Sequence, residues 1–546
     1  MNVWAIVILP GGRTKIAQRF IAGAASNQPP MAVRPFLLYS LKTISNDEGL
    51  KMSRAVWATE KKGSAEERMV ALSAGRDVTI VPAADALLIP HDLWTNRAHS
   101  IMLSEIGVFS KDDLKALLSA LDNIERRFER GEWELDPALE DVHMCVESEV
   151  ARIAGEPISG RMHTGRSRND QSATDVRLYL RDALLAFMSE WQILLRAVRT
   201  HAENHYETVM PGFTHHRPAT ITTWAHWCAS YVAGLARDIG RLRDLYPRLN
   251  RSPLGGAASY GTTWNIRCDR TADLLGFASP EANCLDGVES RGEMGADLAV
   301  ACAQFLRHAA RISQDLILFS MPAFSFVSLP KAWTTGSSIM PQKRNPDLLE
   351  VIKGRATVVM GHAQSLLSAN LGNLSGYNRD TQWTKFVEMD AIREVSGVAD
   401  GLAGLFEGLE IRTEAMKKAT QQGFIEAVDL ADLLARDRGL TFRAAYRIVS
   451  DTVAACEDQG RLILDRVNQV LEQAGQKPMS ESEFATIADP MANLRRREQP
   501  FGPHPDHVRN ALRLLGEEAA EHQTWCENEL KRLAQIRKNV REYQPQ

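Results

Sequence analysis

Three short stretches of this chain concentrate side chains that handle anions and protons. The most polar reads Thr334-Thr335-Gly336-Ser337-Ser338-Ile339-Met340-Pro341-Gln342-Lys343-Arg344-Asn345-Pro346. Lys343 and Asn345 offer a cation and an amide donor to an anion, and the prolines, glycine and serines suit a mobile loop. An ordinary flexible linker has the same composition. A second stretch, Pro211-Gly212-Phe213-Thr214-His215-His216-Arg217-Pro218, reads as a loop with adjacent histidines. Neighbouring residues on regular structure cannot point the same way, and a loop histidine is either a proton carrier or a hydrogen-bonded structural residue. The third, Met162-His163-Thr164-Gly165-Arg166-Ser167-Arg168-Asn169-Asp170-Gln171, leads into a long helical pattern. Backbone donors at a helix start, with Ser167, Arg168 and Asn169, make an anion site. The alternative is Asp170 as N-cap beside solvated arginines.

The elements that must hold these stretches are helical. Residues 111–130 carry Leu114, Leu117, Leu118, Leu121 and Ile124 at spacings of three and four, with Ser110 as N-cap. From Asp170 to about Met210 there is no proline or glycine, which predicts one helix about 60 Å long. Leu180, Leu184, Leu185, Phe187, Met188, Trp191, Leu194, Leu195 and Val198 cover more than one of its faces. Residues 221–246, 294–320, 347–370 and 385–409 read as four further long helices. Strand-like alternation is confined to pieces such as residues 77–82. A long helix that is apolar on several sides needs neighbours, which predicts an all-α, elongated bundle that oligomerises. From about residue 416 a smaller helical region follows, with Arg495-Arg496-Arg497 read as solvated surface and Gly502-Pro503-His504-Pro505 as a loop. The expected division is an extension at 1–51, helical regions at 52–160 and 161–415, and a small helical region at 416–546. The extension is expected to be disordered or a start-site artefact, with Met52 as the alternative start.

Composition excludes several classes. The net charge of −4, from 64 basic and 68 acidic residues, lacks the basic excess of a nucleic-acid coat. No apolar run approaches the roughly 18 residues of a membrane span. The seven cysteines, at 145, 228, 268, 284, 302, 456 and 526, are odd in number and form no CxxC pair. Reduced thiols in a cytoplasmic protein, with neither disulfide framework nor zinc site, are the plain reading.

Taken in order, Glu140-Asp141-Val142-His143-Met144, residues 163–171, residues 211–215, Ser252-Pro253-Leu254-Gly255, residues 336–347 and Tyr377-Asn378-Arg379-Asp380-Thr381-Gln382 resemble the fumarase/aspartase superfamily, and within it the argininosuccinate lyases. The string from Ser337 to Asp347 is the most specific. The resemblance spans about residues 57–515. It implies a three-part helical fold and a homotetramer whose long central helices form a shared bundle. Each active site would draw on three subunits and eliminate fumarate from an N-substituted aspartate. It implies Ser337 as the base, and His215 paired with Glu350 for proton transfer. Lys343 and Asn345 would hold the dianionic intermediate, helped by Thr214, Ser167 and Asn169. Arg168, His143, Asp85, Tyr377, Gln382 and Lys385 fall at further substrate-binding positions. No metal, flavin or nucleotide cofactor is implied, and neither a nucleic acid nor a membrane partner.

Some positions depart from the argininosuccinate lyase pattern. His216-Arg217 stands for Leu-Gln, Trp57-Ala58-Thr59-Glu60-Lys61 for Trp-Gly-Gly-Arg-Phe, and Thr79-Ile80-Val81 for an Asn-Ala-Ser stretch. Glu289-Ser290-Arg291-Gly292 replaces Ser-Asp-Arg-Asp, Trp383 and Thr384 replace acidic residues, and Phe501-Gly502-Pro503 replaces a Gly-Gly turn. The succinyl-handling residues persist while those for the arginine end are partly altered. Argininosuccinate is the leading substrate. The alternatives are another N-succinyl amine, as for ethylenediamine-disuccinate lyase, or an inactive structural paralogue.

Overall fold

A computed structural model describes residues 66–74, 76 and 81–545. The expectations for residues 1–51, Trp57 to Lys61, Thr79 and Ile80, and most of the alternating stretch 77–82 lie outside these. The principal helices are α1 (Glu67–Ala74), α2 (Ala84–Glu105), α3 (Lys111–Glu129), α4 (Val142–Ala154), α5 (Arg168–Glu203), α6 (Trp224–Leu249) and α7 (Glu293–Ser320). They continue as α8 (Asp347–Leu367), α9 (Thr384–Val395), α10 (Val398–Glu407), α11 (Ala427–Asp437), α12 (Phe442–Ala455), α13 (Leu464–Gln473) and α14 (Pro505–Arg541).

Local chemistry sets where they begin. Ser110 caps α3 by accepting the Asp113 N–H at 3.1 Å, and the predicted leucines of its apolar face are buried. In α5 the cap is Ser167 and not Asp170. Asp170 instead sits inside the first turn and its carboxylate accepts the Ser167 N–H at 2.9 Å, the reciprocal arrangement of a capping box. The helix runs 36 residues, about 54 Å, and stops at Glu203, short of Met210. Residues 209–223 form a β-hairpin where a loop and a helix start were expected: β1 (Val209–Thr214) pairs antiparallel with β2 (Arg217–Thr223). Val209, Ile221 and four threonines favour the extended backbone, and Pro211 in β1 and Pro218 in β2 each remove only one donor. The expected helix at 385–409 is two helices, because Gly397 takes a left-handed φ of 79° between α9 and α10.

The apolar faces of α5 are covered by this chain's own α2, α6, α10 and α14, so its broad hydrophobicity is satisfied within the protomer. Trp191 of α5 stacks between Phe187 and Phe305, with ring centroids 5.7 and 4.2 Å away. The surface left bare is elsewhere: Val358, Met360 and Leu367 on α8, and Leu371 and Leu374 just beyond it, the last two 79% and 85% exposed. A separate small core gathers Leu430, Leu434, Ala445, Val467, Leu471 and Ile487. The C-terminal region also holds a helix that was not foreseen. α14, 37 residues long and capped by His504, lays Val508, Leu512, Ala519, Cys526 and Leu533 into the main core beside α5 and α6. Among the described residues no helix is long and apolar enough to cross a membrane.

Candidate active site

The segment before α5 is tied down from several directions. One Asp170 oxygen accepts the Gly255 and Ala257 N–H groups, each at 2.9 Å, which joins the Ser252–Gly255 stretch to the α5 start. Burial pushes the Asp170 carboxyl up to about 6 despite these donors. Further along, the Ser259 hydroxyl accepts the Tyr377 N–H at 3.2 Å, and the Tyr377 hydroxyl lies 3.5 Å from the Gln382 carbonyl oxygen. Two positions into α9, Lys385 is ion-paired with Asp85, whose second oxygen accepts the Val142 N–H at 3.1 Å. The next residue, His143, has its Nδ1 2.7 Å from Asp92. Asp92 in turn accepts from Gln171 at 2.7 Å, which returns to α5. These contacts form a closed ring, and it holds His143, Asp85, Tyr377, Gln382 and Lys385 near Ser167 and Asn169. Arg168 lies on its rim with its guanidinium 3.0 Å from both Glu140 and Asp141.

The ring has a buried polar floor that no sequence spacing pointed to. Asp92, Asn96, Asp175 and Arg166 are all buried, with Arg166 donating to Asn96 at 2.5 Å and Thr95 to Asp175 at 2.5 Å. Burial raises Asp175, and the Asp92 charge adds to it. Burial also acts upward on Asp92, but the His143 hydrogen bond and charge and the Arg166 charge outweigh it and hold this carboxylate low. Asp92, His143 and Asp175 resemble a metal-ligand set. Asp92 already accepts from Gln171 and meets His143, and Asp175 Oδ1 accepts from Thr95, whereas Asp175 Oδ2 is buried without a hydrogen-bond partner, 3.7 Å from His143 Nδ1; the Arg166 guanidinium adds a positive charge beside the set. Arg291 and Glu388 adjoin this ring. Both Glu388 oxygens are buried without a hydrogen-bond partner, and burial lifts its carboxyl to about 8 against the pull of Arg291. The close approach of α9 to α7 requires Gly295, where a β-carbon would meet the Glu388 carboxyl at 2.3–2.4 Å.

The other candidate residues occupy two exposed projections. Residues Thr335–Gly336 pair antiparallel with Arg344–Asn345, so the polar loop 337–343 is an excursion closed at its neck. Thr335 and Asp347 are hydrogen-bonded across that neck, and the Asn345 amide donates to Thr335 at 3.5 Å. The Ser337 hydroxyl oxygen accepts N–H groups from Met340 at 3.0 Å and Ile339 at 3.4 Å. Lys343 and Glu350 are exposed, Glu350 in the first turn of α8. The second projection is the hairpin, whose exposed two-residue turn is His215-His216 with φ of 52° and 59°. Positive φ at both central positions is the twist-matched hairpin turn that Asn-Gly usually provides, so two histidines there are strained. Among the described residues no hydrogen bond or ion pair joins His215 to Glu350.

A helical bundle with polar loops at its helix ends, one ring preassembled and two projections open, has the architecture of a fumarase/aspartase-type lyase. Two family profiles match, one described as lyase over residues 94–361 and one as argininosuccinate lyase C-terminal over 424–494. The argininosuccinate lyase of Geobacillus thermodenitrificans is 38% identical over 433 residues, spanning 79% of this chain and 93% of that one. That of Thermus thermophilus is 39% identical over 432 residues, spanning 79% and 92%. The chain belongs to the argininosuccinate lyase family, and it is a carbon–nitrogen lyase. Among solved structures, an EDDS lyase in complex with formate superimposes with a TM-score of 0.78 at 28% identity, covering 88% of this chain and 98% of that one. A class II fumarase from Schistosoma mansoni shares the fold, with a TM-score of 0.62 at 16% identity, covering 79% and 95%.

Proposed function

We propose that this protein cleaves argininosuccinate to arginine and fumarate, a step of arginine biosynthesis. The observation that carries the reading is Ser337. Its oxygen already receives two backbone N–H groups from within the 337–343 loop. Donors aimed at an oxygen favour its anionic form, which is what a serine needs to act as a base. In the reaction, the Ser337 alkoxide takes the proton from the succinyl carbon beside a carboxylate. The electron pair enters that carboxylate, giving an aci-carboxylate dianion held by Lys343 and Asn345, with Thr214, Ser167 and Asn169 on the succinyl oxygens. The pair then forms the fumarate double bond as the C–N bond breaks, and the leaving guanidino nitrogen is protonated with the help of His215 and Glu350. Closing of loop 337–343 excludes water from the dianion. The ring of Asp85, His143, Tyr377, Gln382 and Lys385 receives the amino-acid end, with Arg168 at its rim.

The working unit in this reading is a cytoplasmic homotetramer. Two observations favour the tetramer: the exposed apolar side chains between Val358 and Leu374, and the lack, among the described residues, of any hydrogen bond or ion pair between His215 and Glu350. Seven free thiols fit a reducing compartment. The test is fumarate absorbance with argininosuccinate as substrate. Fumarate release supports the reading. Fumarate from another N-succinyl amine and none from argininosuccinate transfers it to an EDDS lyase-like activity, a second reading favoured by Trp383 and the buried Glu388 beside Lys385. Release from neither fits an inactive paralogue. A stable, active monomer on gel filtration contradicts the shared site.

A further inference from the structure

We propose that Arg497 is a positioning residue for the Thr214–His215 tip and acts through a bulge in β2; this rests on the reading that His215 serves the lyase site. The hairpin register pairs Gly212 with Thr220 but Phe213 with Pro218, so Ala219 has no opposite residue. An extra residue of this kind bends and twists its strand and re-aims whatever lies beyond it. Beyond this one lie two residue pairs, Phe213–Pro218 and Thr214–Arg217, and the His215-His216 turn. Thr220 flanks the bulge, and its hydroxyl accepts from the Arg497 guanidinium at 2.6 Å. The same guanidinium nitrogen contacts both Asp429 oxygens at 2.8 and 2.9 Å and the Asn493 oxygen at 3.3 Å. The sequence reading placed all three arginines of 495–497 in solvent. Arg497 is instead only 19% exposed.

The link joins two bodies of different kind. Asp429 belongs to α11, which contributes to the small core, whereas the hairpin leads into α6 of the main bundle. Apolar contact accompanies it: Val209 and Ile221 of the hairpin cluster with Ile425 and Leu494. The neighbouring arginines do other things. Arg495 pairs with exposed Glu207 at 3.2 Å, and Arg496 reaches Thr486 at 2.5 Å and Asp437 at 3.2 Å. A strained turn holds its aim only if the strands behind it are fixed. Arg497 supplies that fixing at the bulge: one terminal guanidinium nitrogen holds the Asp429 carboxylate and the Thr220 hydroxyl together, and a lysine side chain is one bond shorter than this reach. The ring that receives the amino-acid end is separate, and Thr214 meets succinyl oxygens whose charge grows in the transition state, so loosening the bulge displaces Thr214 and His215 at a cost that falls on kcat more than on KM.

The test uses the full-length assembled protein. Thr220→Val removes only the hydroxyl and keeps a β-branched strand residue; Arg497→Lys is the second variant. Each is expected to lower kcat about tenfold with KM within about twofold, since small misplacements near reacting groups cost rate. Hydrogen–deuterium exchange is expected to quicken in residues 209–223 and to stay at the wild-type rate in 430–487. Arg495→Ala leaves rate and exchange unchanged. Unchanged kcat in Thr220→Val overturns the proposal. So does a kcat loss without faster exchange in 209–223, equal acceleration across 430–487, or an equal loss in Arg495→Ala. If the wild-type protein releases no fumarate, the lyase reading fails, and the exchange measurement alone still decides the link.

Discussion

The ring around His143 and the two projections bearing Ser337 and His215 are built on opposite terms. In the ring the ties run between distant parts of the chain: Asp85 with Lys385, His143 with Asp92, Asp170 with Gly255 and Ala257. On the projections, Lys343, Glu350 and His215 are exposed, and the hydrogen bonds to Ser337 and across the loop neck at Thr335 are local ones. Groups that only recognise a substrate profit from being fixed in advance, because orientation is then complete before binding. Groups that move protons must admit substrate, then meet it without water, which requires a surface that closes or is completed by a neighbour. In the proposed reading the difference separates the holding of the amino-acid end, made inside one protomer, from the proton transfers, which neighbouring protomers would complete.

The comparison can be broken most severely on the open side. Ser337→Ala is expected to cut fumarate release by about 10²–10⁴-fold while thermal unfolding and substrate binding stay near wild type. Full activity in that variant would remove the base from the account. On the ring side, Asp92→Asn frees the His143 imidazole and leaves Arg166 with less charge compensation. It is expected to lower kcat/KM by roughly 10²-fold and, unlike Ser337→Ala, to lower the melting temperature as well. Calorimetry and steady-state kinetics on the two variants together show whether stability is lost on the ring side alone.

Buried acids near the ring give a subtler signature. Glu388 ionises near its ordinary 4.5 in the unfolded chain but near about 8 in the folded one. Between those values the unfolded chain has already released a proton that the folded chain retains, so rising pH favours unfolding. Glu190 of α5, lifted by burial to about 7, acts in the same direction. Melting temperature is therefore expected to fall as pH rises from about 6 to 8, and Glu388→Gln is expected to flatten that slope. The smallest effect belongs to the hairpin turn. His216→Gly replaces a residue strained at φ 59° and is expected to stabilise the protein by up to about 1 kcal/mol, with kcat retained. A loss of stability on denaturant unfolding would show that His216 makes a contact worth more than its strain.

Much of the fold was legible because amphipathic helices announce themselves locally. α3, α6, α7 and α8 begin within a few residues of where their spacing predicts. The errors share a cause. Ser167, not Asp170, caps α5 because the choice depends on which side chain reaches back, and both residue types suit the task. The hairpin was hidden by Pro211, Gly212 and Pro218, which read as loop punctuation yet sit at strand positions where one missing donor is tolerated. α14 was missed because only one narrow stripe of a charged segment is apolar, and its docking partners lie some 300 residues earlier. For the site, the loops and their chemical residues were legible as strings. Asp92, Arg166, Glu388 and Arg497 were not, because each is defined by partners on other elements, with no local period or motif to mark it.

The central claim is that binding is assembled within one chain and chemistry between chains. It is tested most directly by mixing two inactive variants, Ser337→Ala and His215→Asn, after dissociating and reassembling them together. Sites that draw Ser337 from one subunit and His215 from another regain both groups in a mixed assembly. The account predicts fumarate release from the mixture well above that of either variant reassembled alone. A mixture that reassembles fully and stays as inactive as its components would place both residues of each site in the same chain and contradict it.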